Sequence, residues 1–409
     1  MQKGFPPTYY GGVDHLPITE RLVELVARGL VTTGQAHRTA LAVELARREG
    51  EALSGQAVGD SLGLSRAAVH KQVEQLRALG FAIEPVGGAG YRLARPFDDL
   101  IAAEAVVPFL LDLMEPGSLW MAGLPYRYLA HCASTNQVLR GAAGMPGPAS
   151  APGGSSARGA RTAVAPPPPA GAVVVTDEQT GGRGRLGRGW VSQPGKDLTF
   201  SVLLRPALAP ARAHLLSLAA ALAVAETLEA IPGLEGRVAI KWPNDVLLGD
   251  RKVCGILVEG SMDSDRLHWA VAGIGLNVNS DPAAFTRGLE PDARREWQGR
   301  PEPASLGQAL GSDLPRGPLL ARLLARLTTR WNAAAADDDL LSGLRQRDLL
   351  RGRQVEVLSG PPSNELVVAG DAAGIGEEGQ LLVRTPEGRQ VQVFAGDVTV
   401  RSFEMGPRP

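Results

Sequence analysis

Apolar residues recur at helical spacing through the first hundred positions and at strand-like alternation through much of the remainder. Leu41, Ala42, Leu45 and Ala46 mark one face of a helix over Thr39–Glu49, and a shorter helix is expected over Thr19–Arg28. In SGQAVGDSLGLSRAAVHKQVEQLRALG, residues 54–80, Ser54 is placed to cap a short helix that stops at Gly63, where glycine can take positive φ and turn the chain. Ser65 caps the next helix, with Ala68, Val69, Val73, Leu76 and Leu79 on its apolar face. FAIEPVGGAGYRL follows as two short strands around a glycine turn. Asp98–Met114 reads as a linker helix. Strands are then predicted at Ala172–Thr176, at Leu198–Leu204, through residues 238–260 and at His268–Asn279. A long amphipathic helix lies among them at about Ala211–Ala230. Leu306–Ala336 is helical, and from Gly352 to Arg401 short strands alternate with glycine turns.

This order predicts an α+β multidomain protein. Residues 1–36 form an extension of unassigned role, and 37–96 a winged helix-turn-helix. Residues 97–345 form a domain built on a mixed sheet, and 346–403 a small SH3-like β-barrel. The helix capped by Ser65 turns Ser65, Arg66, His70 and Lys71 outward, as a DNA-reading helix would. A plain three-helix packing module has a similar pattern, and eight basic against six acidic residues between Arg38 and Arg95 make a weak electrostatic footprint. Residues 141–171, rich in Gly, Ala and Pro, carry too little apolar bulk to fold alone and are expected to be a disordered insertion in a surface loop.

Composition narrows the class. The net charge of -1 over 409 residues rules out a global basic field, so DNA binding would have to come from one local face. Two cysteines exclude a disulfide framework, and no CxxC or Cys/His cluster points to a metal. The first residues lack the apolar core of a signal peptide. Leu215–Leu228 is interrupted by Ser217, Glu226 and Thr227 and is too short to span a bilayer. A cytoplasmic protein without membrane contact is expected.

Three stretches carry chemistry. GGRGRLGRGW, residues 181–190, follows a strand, and its glycines let backbone N–H groups approach an anion that arginine forks can grip. It is neither a P-loop nor a dinucleotide fingerprint. HCASTNQVL sets Ser134, Thr135 and Asn136 at a helix start, where hydroxyls and free N–H groups can hold a polar ligand or merely cap the helix. Lys241, in IKWPNDV, lies between apolar residues and must direct its ammonium at an anion, either a ligand or Asp245. Lys241, Arg183 and Arg185 supply cations, and no nucleophile motif accompanies them. Such a site suits attack by a substrate carboxylate on a nucleotide α-phosphate, with the protein supplying position and charge.

DEQTGGRGRLGRGW, KWPNDVLLGDRKVCGILVEG and GIGLNVN, in this order, resemble biotin protein ligases. With the STN helix start, the C-terminal barrel and the winged helix, the chain is similar to the bifunctional class that also represses the biotin operon. The resemblance covers roughly Arg38–Arg401 outside the insertion, and it implies a central domain of the biotin/lipoate ligase type. It further implies that biotin and MgATP form biotinyl-5′-AMP and pyrophosphate, and that a lysine of the biotin carboxyl carrier protein then takes the biotinyl group. Carried over by position, Ser134, Thr135, Asn136 and Gln179 would bind biotin, and Gly255 would give backbone access to it. Gly182, Arg183, Gly184 and Arg185 would close over biotin and the adenylate, Lys241 would bridge carboxylate and α-phosphate, and Asn277 would contact adenine. No protein-held metal is implied. Trp190 and Trp242 read as packing anchors, Cys254 as a core residue, and Trp297 or Phe285 as candidate covers for adenine. The resemblance also implies an adenylate-dependent homodimer that binds operator DNA. The alternative keeps the ligase and gives the winged helix no DNA role.

Overall fold

The computed structural model describes residues 18–114, 122–143, 167–281, 284, 301–336, 340–360 and 365–400. The predicted insertion lies largely outside these residues, as do Phe285 and Trp297. Its two ends are regular structure: Gly141 and Ala142 finish a helix, and residues 167–171 lead into a strand.

The N-terminal unit comprises α1 (Ile18–Ala27), α2 (Thr33–Arg47), α3 (Gly55–Leu62) and α4 (Arg66–Ala78), followed by the hairpin β1 (Ile83–Val86) and β2 (Gly90–Leu93). Ser54 and Ser65 cap α3 and α4, accepting from the N–H groups of Ala57 at 3.5 Å and Ala68 at 3.2 Å. Gly63 turns between them at φ 65. Val69, Val73 and Leu76 are buried, whereas Ala68 and Leu79 are only half-buried. Ser65, Arg66, His70 and Lys71 are exposed, and His70 is tied to the wing through Nδ1 and the Tyr91 hydroxyl, 3.1 Å apart.

Two expected boundaries shift. A break at residue 36 would cut α2, which begins at Thr33 behind a Thr32–Gln35 capping box, and α1 buries Leu22 and Leu25 against α2. Part of the expected extension therefore belongs to the N-terminal unit. The expected linker helix is no linker either. As α5 (Ala103–Leu113) it buries all of residues 103–111 between α2 and a long C-terminal helix, α9 (Arg316–Ala336). Glu104 on α5 holds Arg38 of α2 at 2.6 Å.

The central domain is built on a seven-stranded mixed sheet of order β3-β4-β5-β9-β8-β7-β6. Its strands are β3 (Tyr126–Cys132), β4 (Val173–Gln179), β5 (Leu198–Leu204), β6 (Val238–Lys241), β7 (Asp245–Leu248), β8 (Arg251–Met262) and β9 (Leu267–Leu276). Only β3 and β4 pair in parallel. The helix α6 (Thr135–Ala142) follows β3. The helix expected to be amphipathic, α7 (Leu215–Glu229), buries every residue except Ser217, Glu226 and Glu229. Sheet strands cover one side and α9 the other, so its alanines and leucines are core all round. Pro210–Glu229 is long and apolar enough to cross a membrane by length and composition, and two-thirds of it (67%) is buried inside the protein. The helix expected over Leu306–Ala336 is broken at Gly311, φ 72, into α8 (Leu306–Leu310) and α9; α10 (Leu340–Gln346) follows.

The C-terminal SH3-like domain is a five-stranded antiparallel sheet of order β13-β12-β11-β10-β14. Its strands are β10 (Gln354–Leu358), β11 (Leu366–Ile375), β12 (Leu381–Arg384), β13 (Gln390–Val393) and β14 (Asp397–Val400). It is sewn to the central sheet by hydrogen bonds from the N–H of Ile240 to the Arg347 carbonyl (2.7 Å) and from the N–H of Leu349 to the Ile240 carbonyl (2.9 Å). Trp242, 1% exposed, donates its indole N–H to the Gly379 carbonyl at 3.0 Å, and so is the packing anchor expected.

Asp348 sits in that seam. One carboxyl oxygen accepts the Leu350 N–H and the other is buried without a partner, and burial pushes the acid up to about 6. The folded state thus holds a proton that the unfolded chain, with the ordinary value of 3.8, releases earlier. This contribution is harmless at low pH and costs stability as pH rises from the unfolded toward the folded value. Asp348→Asn is therefore expected to raise stability at pH 7.5 by about 2–3 kcal/mol, a gain that shrinks toward pH 4. Denaturant melts at the two pH values test it; an equal effect at both would exclude the buried charge as the cause.

Candidate active site

One face of the mixed sheet opens into a cavity of about 400 Å³ that gathers Ser134, Thr135, Asn136, Gln179, Arg183, Gly184, Arg185, Lys241, Gly255 and Asn277. Every expected ligand-binding residue except Gly182 lines it. Gly182 sits in the adjoining loop, where its carbonyl receives the Trp190 N–H.

The floor is polar and dry. Ser134, Thr135 and Asn136 are buried at the start of α6, and the Ser134 hydroxyl makes no capping hydrogen bond. Gln179 Oε1, at the end of β4, accepts from Thr135 N (2.9 Å) and lies 3.2 Å from Thr135 Oγ1. The Asn136 amide is already bonded at both ends, to Ser201 Oγ at 2.6 Å and Glu259 Oε2 at 2.7 Å. Asn136 therefore shapes the pocket, and Ser134 offers the more available hydroxyl.

The Gly/Arg loop is a tight hairpin. The N–H of Gly184 donates to the Arg188 carbonyl (2.7 Å), and the N–H of Trp190 donates to the Gly182 carbonyl (3.0 Å). Its tip, the 3-10 turn Arg185–Gly187, places Leu186 at φ 60, a region unfavourable for a side chain with a Cβ. The tip rests on the C-terminal domain, with the Leu186 side chain against Gly360. Arg188 forks onto both carboxylate oxygens of Asp397, and Arg185 donates to the Gly396 carbonyl and to Asn244 Oδ1, each at 3.1 Å. Burial lowers the pKa of Arg185, with Asp245 and Asp397 opposing. Arg183 remains exposed at the rim.

Lys241 ends β6 at 8% exposure. Desolvation lowers its pKa, while Asp245 and Asp397 act in the opposite sense. An ion pair with Asp245 does not form: Asp245 holds Lys252 at 2.7 Å, and among the described residues no carboxylate is in ion-pair contact with Lys241. Lys252 also stands over the Trp190 ring, 5.9 Å from its centroid. That ring lies across Gly255 and Gly275, where any Cβ would collide with it. Trp190 is thus a wall of the cavity as well as a packing residue, with its buried indole N–H unpartnered. Asn277 donates to the Ala304 carbonyl at 2.9 Å and keeps a buried, unpartnered Oδ1. Cys254 is fully buried beneath the site, and burial pushes its thiol well up, as befits a core residue.

The lining carries five cationic side chains (Arg183, Arg185, Arg188, Lys241, Lys252) against two carboxylates, Asp245 and Asp397. Such a pocket takes a polyanion, and its unpartnered amide oxygen accepts a hydrogen bond from a base. Sequence reasoning missed Arg188, Asn244, Lys252, Ser201, Glu259 and Asp397. Arg188, Asn244, Lys252 and Glu259 lie inside the quoted motifs. Asp397 is brought from more than two hundred residues away, and no local signal marks it.

Residues 164–277 match the Biotin/lipoate A/B protein ligase family and residues 38–92 match an HTH domain. The chain is 31% identical to the bifunctional ligase/repressor BirA of Bacillus subtilis (strain 168), over 87% of its own length and 96% of that protein's. It is 30% identical to the bifunctional ligase/repressor BirA of Escherichia coli (strain K12), over 87% and 95%. Among solved structures, the biotin protein ligase of Aquifex aeolicus in complex with biotin and ATP is similar at 27% identity and a TM-score of 0.48, covering 67% of this chain and 97% of that one. With this identity sustained across nearly the whole of both BirA proteins, winged helix included, the chain belongs to the bifunctional biotin ligase/repressor family.

Proposed function

We propose that the cavity joins biotin to ATP and passes the biotinyl group to a carrier-protein lysine, while the winged helix represses biotin-synthesis genes in response to biotin. The carrying observation is Lys241, a buried cation without an ion-pair partner among the described residues, in the wall of a cavity whose floor is polar and whose rim is arginine. Its desolvation is compensated when anions arrive.

In the first step a biotin carboxylate oxygen attacks the α-phosphorus of ATP, a P–O bond forms, and the bond to the β-phosphate oxygen breaks to release pyrophosphate. Lys241 faces both reacting anions, and its attraction grows as charge gathers on the α-phosphate oxygens in the transition state. Ser134, Thr135 and Gln179 supply polar contacts for the ureido ring. Arg183, Arg185 and the Gly182–Gly184 backbone cover the adenylate and exclude water, and Asn277 Oδ1 accepts from the adenine amino group. Magnesium enters with ATP as its counter-ion; the two lining carboxylates, Asp245 and Asp397, are each engaged by a cation. In the second step the neutral ε-amine of the carrier lysine attacks the acyl carbon, AMP leaves, and the amine proton passes to solvent or to the departing phosphate.

The partner would be the biotin carboxyl carrier protein. Operator DNA would meet Ser65, Arg66, His70 and Lys71, with a homodimer in the adenylate-bound state. A cytoplasmic location would accord with that substrate. Arg66 and Lys71 support the DNA reading because both are exposed and, among the described residues, unpaired, whereas Arg77 and Arg92 are held by Glu74 and Glu84.

Labelling a purified carrier domain with radioactive biotin and MgATP tests the enzyme. Lys241→Ala should lower the rate by about 10²–10³-fold with the fold intact, as loss of one preorganised charge-stabilising group does; unchanged turnover removes Lys241 from the mechanism. The loop's grip on the C-terminal domain predicts that Asp397→Ala speeds biotinyl-AMP release about tenfold or more and exposes residues 181–190 to protease. Equal release and equal protection would show that the ion pair does not hold the loop. Arg66→Ala with Lys71→Ala should abolish a gel shift on the biotin operator while ligation persists; a shift that survives would place DNA binding elsewhere.

A further inference from the structure

Beneath the cavity floor lies a chain of hydrogen bonds whose direction is set at its far end. Glu259, on β8, accepts from two donors: Arg140 Nη1 of α6 at 2.6 Å and Asn136 Nδ2 at 2.7 Å. A carboxylate only accepts, so the Asn136 amide must turn its nitrogen toward Glu259 and its oxygen toward Ser201. Ser201 Oγ, 2.6 Å from that oxygen, must then spend its proton there, and it offers only lone pairs to Thr135 Oγ1, also 2.6 Å away. Thr135 must then spend its one hydroxyl proton on Ser201, which leaves its lone pairs free, while its backbone N–H donates to Gln179 Oε1 at 2.9 Å. The Gln179 carbonyl is thereby held inward, with Nε2 on the other side, next to Gly182 of the Gly/Arg loop. Glu259 does not line the cavity, whereas Asn136, Thr135 and Gln179 do.

We propose that Glu259 is a positioning residue for biotin. By accepting from Asn136 it orders Asn136, Ser201 and Thr135, so that the Thr135 hydroxyl presents lone pairs to a ligand N–H such as those of the ureido ring. The proposal rests on the reading of this floor as the biotin site. The amide and hydroxyl links can each run either way, and a longer contact from Asn136 Nδ2 to the Leu257 carbonyl, 3.5 Å, favours the same direction more weakly. Arg140 reinforces the choice, since it can donate to Glu259 and never accept.

Glu259→Gln keeps the shape and removes one acceptor. Arg140 and Asn136 then compete for a single carbonyl oxygen, and the side-chain NH2 faces one of the two donors. If Arg140 takes the oxygen, the Asn136 amide is driven to reverse, and the reversal passes through Ser201 to the Thr135 hydroxyl, which then turns its proton away from Ser201. The double variant Glu259→Gln with Arg140→Met frees the glutamine carbonyl for Asn136 and restores the original direction.

The experiment is isothermal titration of the full-length protein with biotin, together with the KM for ATP in pyrophosphate exchange. Glu259→Gln is expected to raise the biotin Kd about tenfold or more and leave the KM for ATP within about twofold. The double variant should return the biotin Kd to within about threefold of wild type. A merely structural role predicts the reverse order, because removing a second buried partner would worsen binding. Wild-type biotin affinity in Glu259→Gln, or a double variant weaker than the single, overturns the proposal. Ser134→Ala and Thr135→Val are titrated in parallel to separate the two levels. If they leave biotin binding unchanged, the floor is not the biotin site and both readings fall. If they weaken it while Glu259→Gln does not, only the relay fails.

Discussion

A desolvated lysine in a buried wall governs this site. Lys241 has given up water without gaining, among the described residues, a carboxylate in ion-pair contact, and the field of Asp245 and Asp397 sustains its charge. Both carboxylates are committed to other cations, Lys252 and Arg188. This arrangement keeps the lysine charged without neutralising it. An ion pair would have been the cheaper way to bury it, and would have left nothing to stabilise an incoming carboxylate or phosphate. The excess of cations lining the cavity makes the same point at larger scale: charge balance is completed by the ligands.

The C-terminal domain belongs to the site for this reason. A hairpin carrying three arginines repels itself, and its tip holds a leucine in the left-handed region, an arrangement costing about 1–3 kcal/mol on its own. Asp397, the Gly396 carbonyl and the surface at Gly360 supply the compensating contacts. The small sheet is anchored for the task through the Ile240–Leu349 hydrogen bonds and the Trp242 indole, so one strand, β6, carries both Lys241 and the seam to the domain that holds the loop.

Much of this was legible in the sequence because the motifs are local. The winged helix could be read from two serine caps and one glycine, since capping is settled within four residues. Ser134, Gln179, Arg185, Lys241 and Asn277 could be placed because each lies at a strand end or helix start that its neighbours announce. What escaped was non-local. The burial of α5 and α7 on nearly all sides depends on α9, which joins them from a hundred residues or more away, and periodicity does not report the number of covered faces. The partners of Arg188 and Asn136 come from Asp397 and Glu259, and a lone acidic residue on a strand carries no mark of what it will meet.

The two halves of the molecule are joined by packing rather than by a tether. One apolar cluster runs without interruption from Leu22 and Leu25 on α1, through α2 and α5, to α7, α9 and the C-terminal strands. Where the chain passes from winged helix to ligase, Glu104 on α5 holds Arg38 on α2, and the same arginine reaches Gln75 on α4. A buried ion pair is weak as a source of stability and strong as a source of register, because its geometry tolerates few alternatives. Its position at the boundary, with apolar contact on either side, fixes how α4 is presented relative to the sheet. A flexible linker would have let the winged helix sample many orientations. A packed helix leaves one, and a change in the ligase core that moves α5 is passed to α2 and α4.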